Sequence, residues 1–194
     1  MSLLRAFLAS ELPSSIQTAI QEATIGLRKA LEDDLVRWVP AHNIHLTLKF
    51  LGDVSPANLD LIKQMLATEA SQYTAFDVQV EGIGSYPNAR RPRVLWVGLN
   101  APTALASLQH SIETAAARLG YESEERGFSP HLTIGRVHQN ASSTDIQKIR
   151  SALETNKVGN LGTARIDAVY LFKSDLQSTG SVYTKLFSAP LANH

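Results

Sequence analysis

Apolar and polar positions alternate along this chain with two periods, and the switches between them mark the elements. Over residues 44–51 Ile44, Leu46, Leu48 and Phe50 fall on one side of a period-two pattern, with His45, Thr47 and Lys49 on the other. That pattern predicts a strand with an apolar core face and a polar face opposite. Shorter runs predict strands over 3–9, 35–39, 76–83, 94–99, 164–172 and 181–187, and another at residue 131. Helical spacing joins Ile16, Ile20, Leu27 and Leu31 behind Pro13-Ser14-Ser15, and Leu59, Ile62, Met65 and Leu66 behind Ser55-Pro56. Two more helices are predicted over 102–119, closed by Gly120, and over 143–153, while 82–93 reads as turns.

One pattern returns. His45-Leu46-Thr47-Leu48 reappears as His131-Leu132-Thr133-Ile134, again inside an alternating run. A shuffled chain of this composition would hold about 0.01 such His-Leu-Thr-aliphatic tetrapeptides, so two are not accidental. The motifs stand close to half the chain apart, with helices and strands mixed in each half, which reads as a weak internal repeat. The expected fold class is α+β: two pseudo-symmetric lobes, each a small, mostly antiparallel sheet with helices on the outer face. The uncovered faces meet across a cleft that holds the active site. No linker or low-complexity tract divides residues 1–194, so one domain built from two lobes is expected, with one motif in each.

Composition narrows the chemistry. Eighteen basic and eighteen acidic residues cancel, so no global field draws the protein onto nucleic acid or membrane, and any polyanion must meet a local patch. The absence of cysteine excludes disulfides, iron–sulfur clusters and thiolate zinc sites, and suits a cytoplasmic location. Residues 1–12 meet Arg5 and Glu11 too early for a signal peptide, and no run of 18 apolar residues occurs, so no membrane association is expected.

Two histidines around one phosphate-sized group suit metal-free phosphodiester chemistry. An unperturbed imidazole titrates near neutrality, so one ring can act as base while the other acts as acid. The neighbouring hydroxyls of Thr47 and Thr133 can donate to non-bridging phosphoryl oxygens.

Beyond the motifs, the chain carries Leu4-Arg5-Ala6-Phe7, Arg37-Trp38-Val39, Asn43, Phe50-Leu51-Gly52, Arg91-Pro92-Arg93-Val94-Leu95-Trp96, Phe128-Ser129-Pro130, Ser174-Asp175-Leu176, Gly180 and Tyr183. With these flanks it resembles the two-histidine (2H) phosphoesterases, and among them the bacterial and archaeal RNA 2′,3′-cyclic phosphodiesterases of the LigT/ThpR type. The resemblance implies metal-independent opening of RNA 2′,3′-cyclic phosphate ends, or of cyclic nucleotides, to 2′-phosphomonoesters. His45 is then the proton donor to the departing ribose 3′-oxygen and His131 the proton acceptor from water. Spacing alone does not divide these roles. The family was also noticed joining RNA halves through 2′–5′ linkages. Alternatives within the same fold are a nucleotide- or RNA-end-binding module, or a phosphoesterase for another cyclic phosphate or an oligoadenylate. A monomer without cofactor is expected.

Other candidates carry competing structural readings. Lys49 shares the predicted His45 face and is a candidate substrate contact. Arg136 suits phosphate, but parity puts it with Leu132 and Ile134, and only a bulge at Gly135 would turn it to the cleft. Arg90, Arg91 and Arg93 with Tyr86 form the best local basic patch for RNA, or else a solvated loop. Trp38 and Trp96 read as packing. His42, His110, His138 and His194 read as surface residues, and the His42/His45 spacing puts that pair on opposite strand faces, which argues against a metal.

Overall fold

In the computed structural model, which describes residues 2–178 and 180–192 (side chains of 32–34 apart), the two motifs lie side by side. They occupy strands β3 (His45–Val54) and β6 (His131–Val137), joined antiparallel through the single pair Leu46 and Leu132. Outward from β3 lie β1 (Leu4–Glu11), β8 (Ala168–Gln177) and β9 (Gly180–Pro190). Outward from β6 lie β5 (Val94–Asn100), β4 (Phe76–Tyr86) and β7 (Asn160–Ile166). Every one of these neighbours is antiparallel. A short β2 (Val36–Trp38) takes over the β6 edge from Gly135 to Val137, so β3 and β6 diverge after one pair and a cleft opens between two four-stranded lobes.

The lobes are not chain halves. Both termini contribute to the β3 lobe and the middle of the chain builds the other, because the strand expected over 164–172 breaks at Asp167. There β7 leaves β4 and β8 joins β1, and the Asp167 carbonyl accepts the Leu191 N–H at 2.7 Å. The first helix also divides, into α1 (Ser14–Ala23) and α2 (Ile25–Leu35). At the break the buried Thr24 hydroxyl donates to the Ile20 carbonyl at 2.8 Å, a local bond that competes with a continuing helix.

Helices α3 (Leu59–Ala70) and α4 (Thr103–Arg118) cover the β3–β8–β9 lobe, while α1, α2 and α5 (Ser143–Thr155) cover the other. The apolar faces of both motif strands, Leu46, Leu48, Leu132 and Ile134, are buried with the helix stripes in one shared core. Each fully buried Leu or Ile contributes about 1.5–3 kcal/mol, so the motif strands are among the best-anchored parts of the molecule. A smaller cluster, Phe7, Ala9 and Phe172 with Tyr170 and Tyr183, lies on the opposite face, beside His45. Among the described residues no helix is long and apolar enough to cross a membrane.

Candidate active site

An antiparallel pair centred on Leu46 and Leu132 sets His45 level with Thr133 and Thr47 level with His131. Side chains at motif positions one and three point away from the core, so both histidines and both threonines share the cleft face, all four half-buried. The histidines lie on a diagonal of this square, where Cα atoms of neighbouring strands are about 7–8 Å apart.

The two imidazoles are held alike. His45 Nδ1 lies 2.7 Å from the Asn43 carbonyl, and His131 Nδ1 lies 2.8 Å from the Ser129 carbonyl. A carbonyl only accepts, so each Nδ1 carries its proton and each neutral ring keeps its Nε2 lone pair for the cleft. Asn43 is itself tied to the β8–β9 lobe, donating from Nδ2 to the Ser181 carbonyl at 2.9 Å. Ser129 is tied to Tyr86 by a 2.7 Å hydroxyl–hydroxyl bond, and the Tyr86 ring meets His131 edge-on at 4.9 Å.

The surroundings of the rings differ. His45 stacks on Phe7 at 4.9 Å and meets the Tyr183 ring edge-on at 5.3 Å. Burial there lowers its pKa below the usual 6.5; the Asn43 carbonyl and Glu11 oppose this, while the Arg136 charge adds to it.

Two bulges decide which residues flank the square. On β3 the pairing with β1 skips Leu48, and on β6 the pairing with β5 skips Ile134. Each extra residue inverts the alternation beyond it. Lys49 therefore does not share the His45 face: it is 4% exposed on the core side, its Nζ lying 2.5 Å from Glu113 Oε1 and also donating to the Glu122 carbonyl. Phe50, placed on the core face by simple alternation, emerges on the cleft side instead and is 63% exposed.

Arg136 turns to the cleft by the equivalent bulge, one residue earlier than Gly135, and its charge reaches His45. Gly135 itself backs onto β2, where a Cβ would stand 2.6 Å from Val36 Cγ1 and 3.0 Å from the Trp38 ring. Only glycine fits that crossing.

The remaining candidates spread out. Tyr86 reaches His131, as described above. Arg90 and Arg91 sit exposed at the tip of the loop beyond it, and Arg93 points toward the Gln139 carbonyl on the helix side. Trp38 packs beneath Arg28, whereas Trp96 lies on the cleft face, tilted against the Tyr86 ring at 5.4 Å. His42 and His110 are exposed, His138 is half-buried, and His194 lies outside the described residues. No group of three or more His, Asp or Glu side chains converges as a metal site among the described residues.

Sequence reasoning passed over Phe7, Asn43, Ser129 and Tyr183 as parts of the histidine supports. For Phe7 the signal was available: between core residues Ala6 and Leu8, an aromatic at an outward position marks something to cover.

Residues 11–96 match the family model described as LigT-like phosphoesterase. The RNA 2′,3′-cyclic phosphodiesterase of Methanothermobacter thermautotrophicus is 32% identical over 183 residues, covering 94% of this chain and 96% of that one. The protein of the same description from Aquifex aeolicus is 27% identical, covering 95% of each chain. Among solved structures, that of Escherichia coli LigT complexed with 3′-AMP superimposes with a TM-score of 0.79 at 26% identity, covering 98% of this chain and 99% of that one.

Proposed function

This chain belongs to the LigT-like phosphoesterase family, and from that membership we propose that it hydrolyses RNA 2′,3′-cyclic phosphodiester ends to 2′-phosphomonoesters. It is a hydrolase acting on phosphodiester bonds. The observation that carries the reading is the matched pair of imidazoles, each with Nδ1 bound to a backbone carbonyl, on strands joined at Leu46–Leu132.

In the reaction, the cyclic phosphate sits between the rings. His131 Nε2 takes a proton from water as the water oxygen bonds to phosphorus, in line with the P–O3′ bond. As that bond breaks, the protonated His45 gives its Nε2 proton to the 3′-oxygen. The phosphate stays on O2′, and proton exchange with solvent restores His45 as cation and His131 as neutral base. Thr47 and Thr133 donate to the non-bridging oxygens, and Arg136 pairs with the same charge.

An acid must be protonated, whereas burial favours neutral His45. The anionic phosphodiester supplies the missing opposite charge, so His45 gains its proton as substrate binds. The 5′-hydroxyl of a second RNA could replace water in the same step, leaving a 2′–5′ linkage. No step requires a metal. A cysteine-free chain suits the cytoplasm, where we place it.

A substrate panel tests the reading. Turnover of 2′,3′-cyclic mononucleotides and of RNA ending in 2′,3′-cyclic phosphate should exceed turnover of ADP-ribose cyclic phosphate and of 2′–5′ oligoadenylate. The reverse order would assign the site to another phosphoester.

A further inference from the structure

A pseudo-twofold axis through the Leu46–Leu132 pair relates the two motif strands and also the strand beyond each, β1 to β5, because both ladders skip one residue at the equivalent place. The residues opposite the two histidines can therefore be compared directly. On β1 the Cα partner of His45 is Glu11, and on β5 the Cα partner of His131 is Gly98. Directly opposite residues of an antiparallel pair project from the same face, with Cβ atoms about 4.5–5.5 Å apart. One histidine thus has a carboxylate beside it in the cleft, and the other has no side chain there. Position 98 admits only glycine, since a Cβ would stand 2.7 Å from the Glu81 carbonyl oxygen.

The Nδ1 supports of the two rings are alike, so this difference falls where acid and base must differ. A neighbouring carboxylate favours the imidazolium that an acid needs, and a glycine leaves a base neutral. Charged and titratable groups surround His45 on every neighbouring strand: Glu11 on β1, Tyr170 on β8, Tyr183 and Lys185 on β9, and His131 and Arg136 on β6. Glu11 is the carboxylate of that set. It opposes the burial and the Arg136 charge that both disfavour a protonated ring. Lys185 fixes it, donating from Nζ to Glu11 Oε2 at 2.7 Å while lying 4.1 Å over the Tyr170 ring. The pair is about half exposed, so solvent screens it and its effect on the ring is moderate.

We propose that Glu11 is the positioning residue that gives His45, rather than His131, the role of proton donor. This rests on the phosphodiesterase reading above. The carboxylate favours the proton on the His45 ring until the departing oxygen takes it, and the bare backbone at Gly98 leaves His131 free to accept one from water. Two nearly symmetric motifs are thus made unequal by the strands beyond them.

NMR titration of the His45 imidazole and kcat/KM for adenosine 2′,3′-cyclic phosphate test this together. Glu11→Gln keeps the shape and removes the charge, so the His45 pKa should fall by about half a pH unit, as for one screened charge about 6 Å away. The same variant should lose about 3-fold in kcat/KM at about pH 8.5, where activity follows the protonated fraction of the acid, and none at about pH 5, where it follows the neutral fraction of the base. Glu11→Asp, which restores the charge, should return both readouts toward wild type. Lys185→Met breaks the ion pair but leaves the carboxylate, and should hold the His45 pKa at its wild-type value or raise it. An unmoved titration in Glu11→Gln, or an equal fall in Lys185→Met, would overturn the proposal, the latter by making the ion pair a structural tie. A gain on the acid side without loss on the alkaline side would also overturn it, because His45 would then be the base. A wild-type protein that turns over no cyclic phosphate would instead overturn the phosphodiesterase reading, and the titration would still decide whether Glu11 governs the His45 proton.

Discussion

Replacing Lys49 with Met separates a structural lysine from a substrate-binding one. The Nζ is buried against Glu113 at 2.5 Å, with side-chain exposures of 3% and 16%, and it also donates to the Glu122 carbonyl. Removing one partner of a buried ion pair costs about 3–5 kcal/mol, because the other charge remains without its counter-ion. Glu113 keeps two donors, the Glu124 N–H at 3.0 Å and Gln109 Nε2 at 3.4 Å, so about 3 kcal/mol is the appropriate end of that range. In a domain of this size that lowers Tm by about 6–12 °C. Thermal and urea unfolding measure the loss, and steady-state kinetics at 25 °C with a cyclic mononucleotide should show KM within about 2-fold of wild type. Adding Glu113→Leu should recover most of the stability, since an apolar pair of similar bulk leaves no buried charge. An unchanged Tm with a several-fold higher KM would refute this and return Lys49 to the cleft.

Further expectations follow from the site. Thr47→Val and Thr133→Val should each lower kcat more than they raise KM, by up to about 100-fold, because their hydroxyls meet charge that grows in the transition state; a change confined to KM would make them ground-state contacts. Arg136→Gln removes a cation whose field lowers the His45 pKa, so NMR titration should show that pKa rise toward 6.5. With His45 as the acid, the alkaline limb of kcat/KM moves up in pH with it; movement of the acid limb instead would make His45 the base. Activity should survive exhaustive chelation, and loss rescued by one added metal would contradict a purely histidine-based mechanism.

The period-two pattern around each histidine carried the fold class and the polar square, because alternation is a local property that burial enforces strongly. It failed from Lys49 and Gly135 onward for one reason. A bulge inserts a residue without leaving a composition signal, and a one-residue slip exchanges faces for everything beyond it. Hence Lys49 and Phe50 traded sides, while Arg136 reached the cleft through a bulge at Ile134 rather than Gly135. The break at Asp167 was invisible because both segments have strand character, and only their partners, β4 and β1, lie in different lobes. The supports at Asn43 and Ser129 act through backbone carbonyls, which no residue type announces.

The most direct test is the product formed from adenosine 2′,3′-cyclic phosphate in excess chelator, separated by chromatography, for wild type and for His45→Ala and His131→Ala. A two-histidine mechanism predicts 2′-AMP as the main product of wild type. Each variant should be slower by about 10²–10⁴-fold, and the double variant far less than multiplicatively so. Near wild-type turnover in either single variant, or no turnover in the wild type, would contradict it.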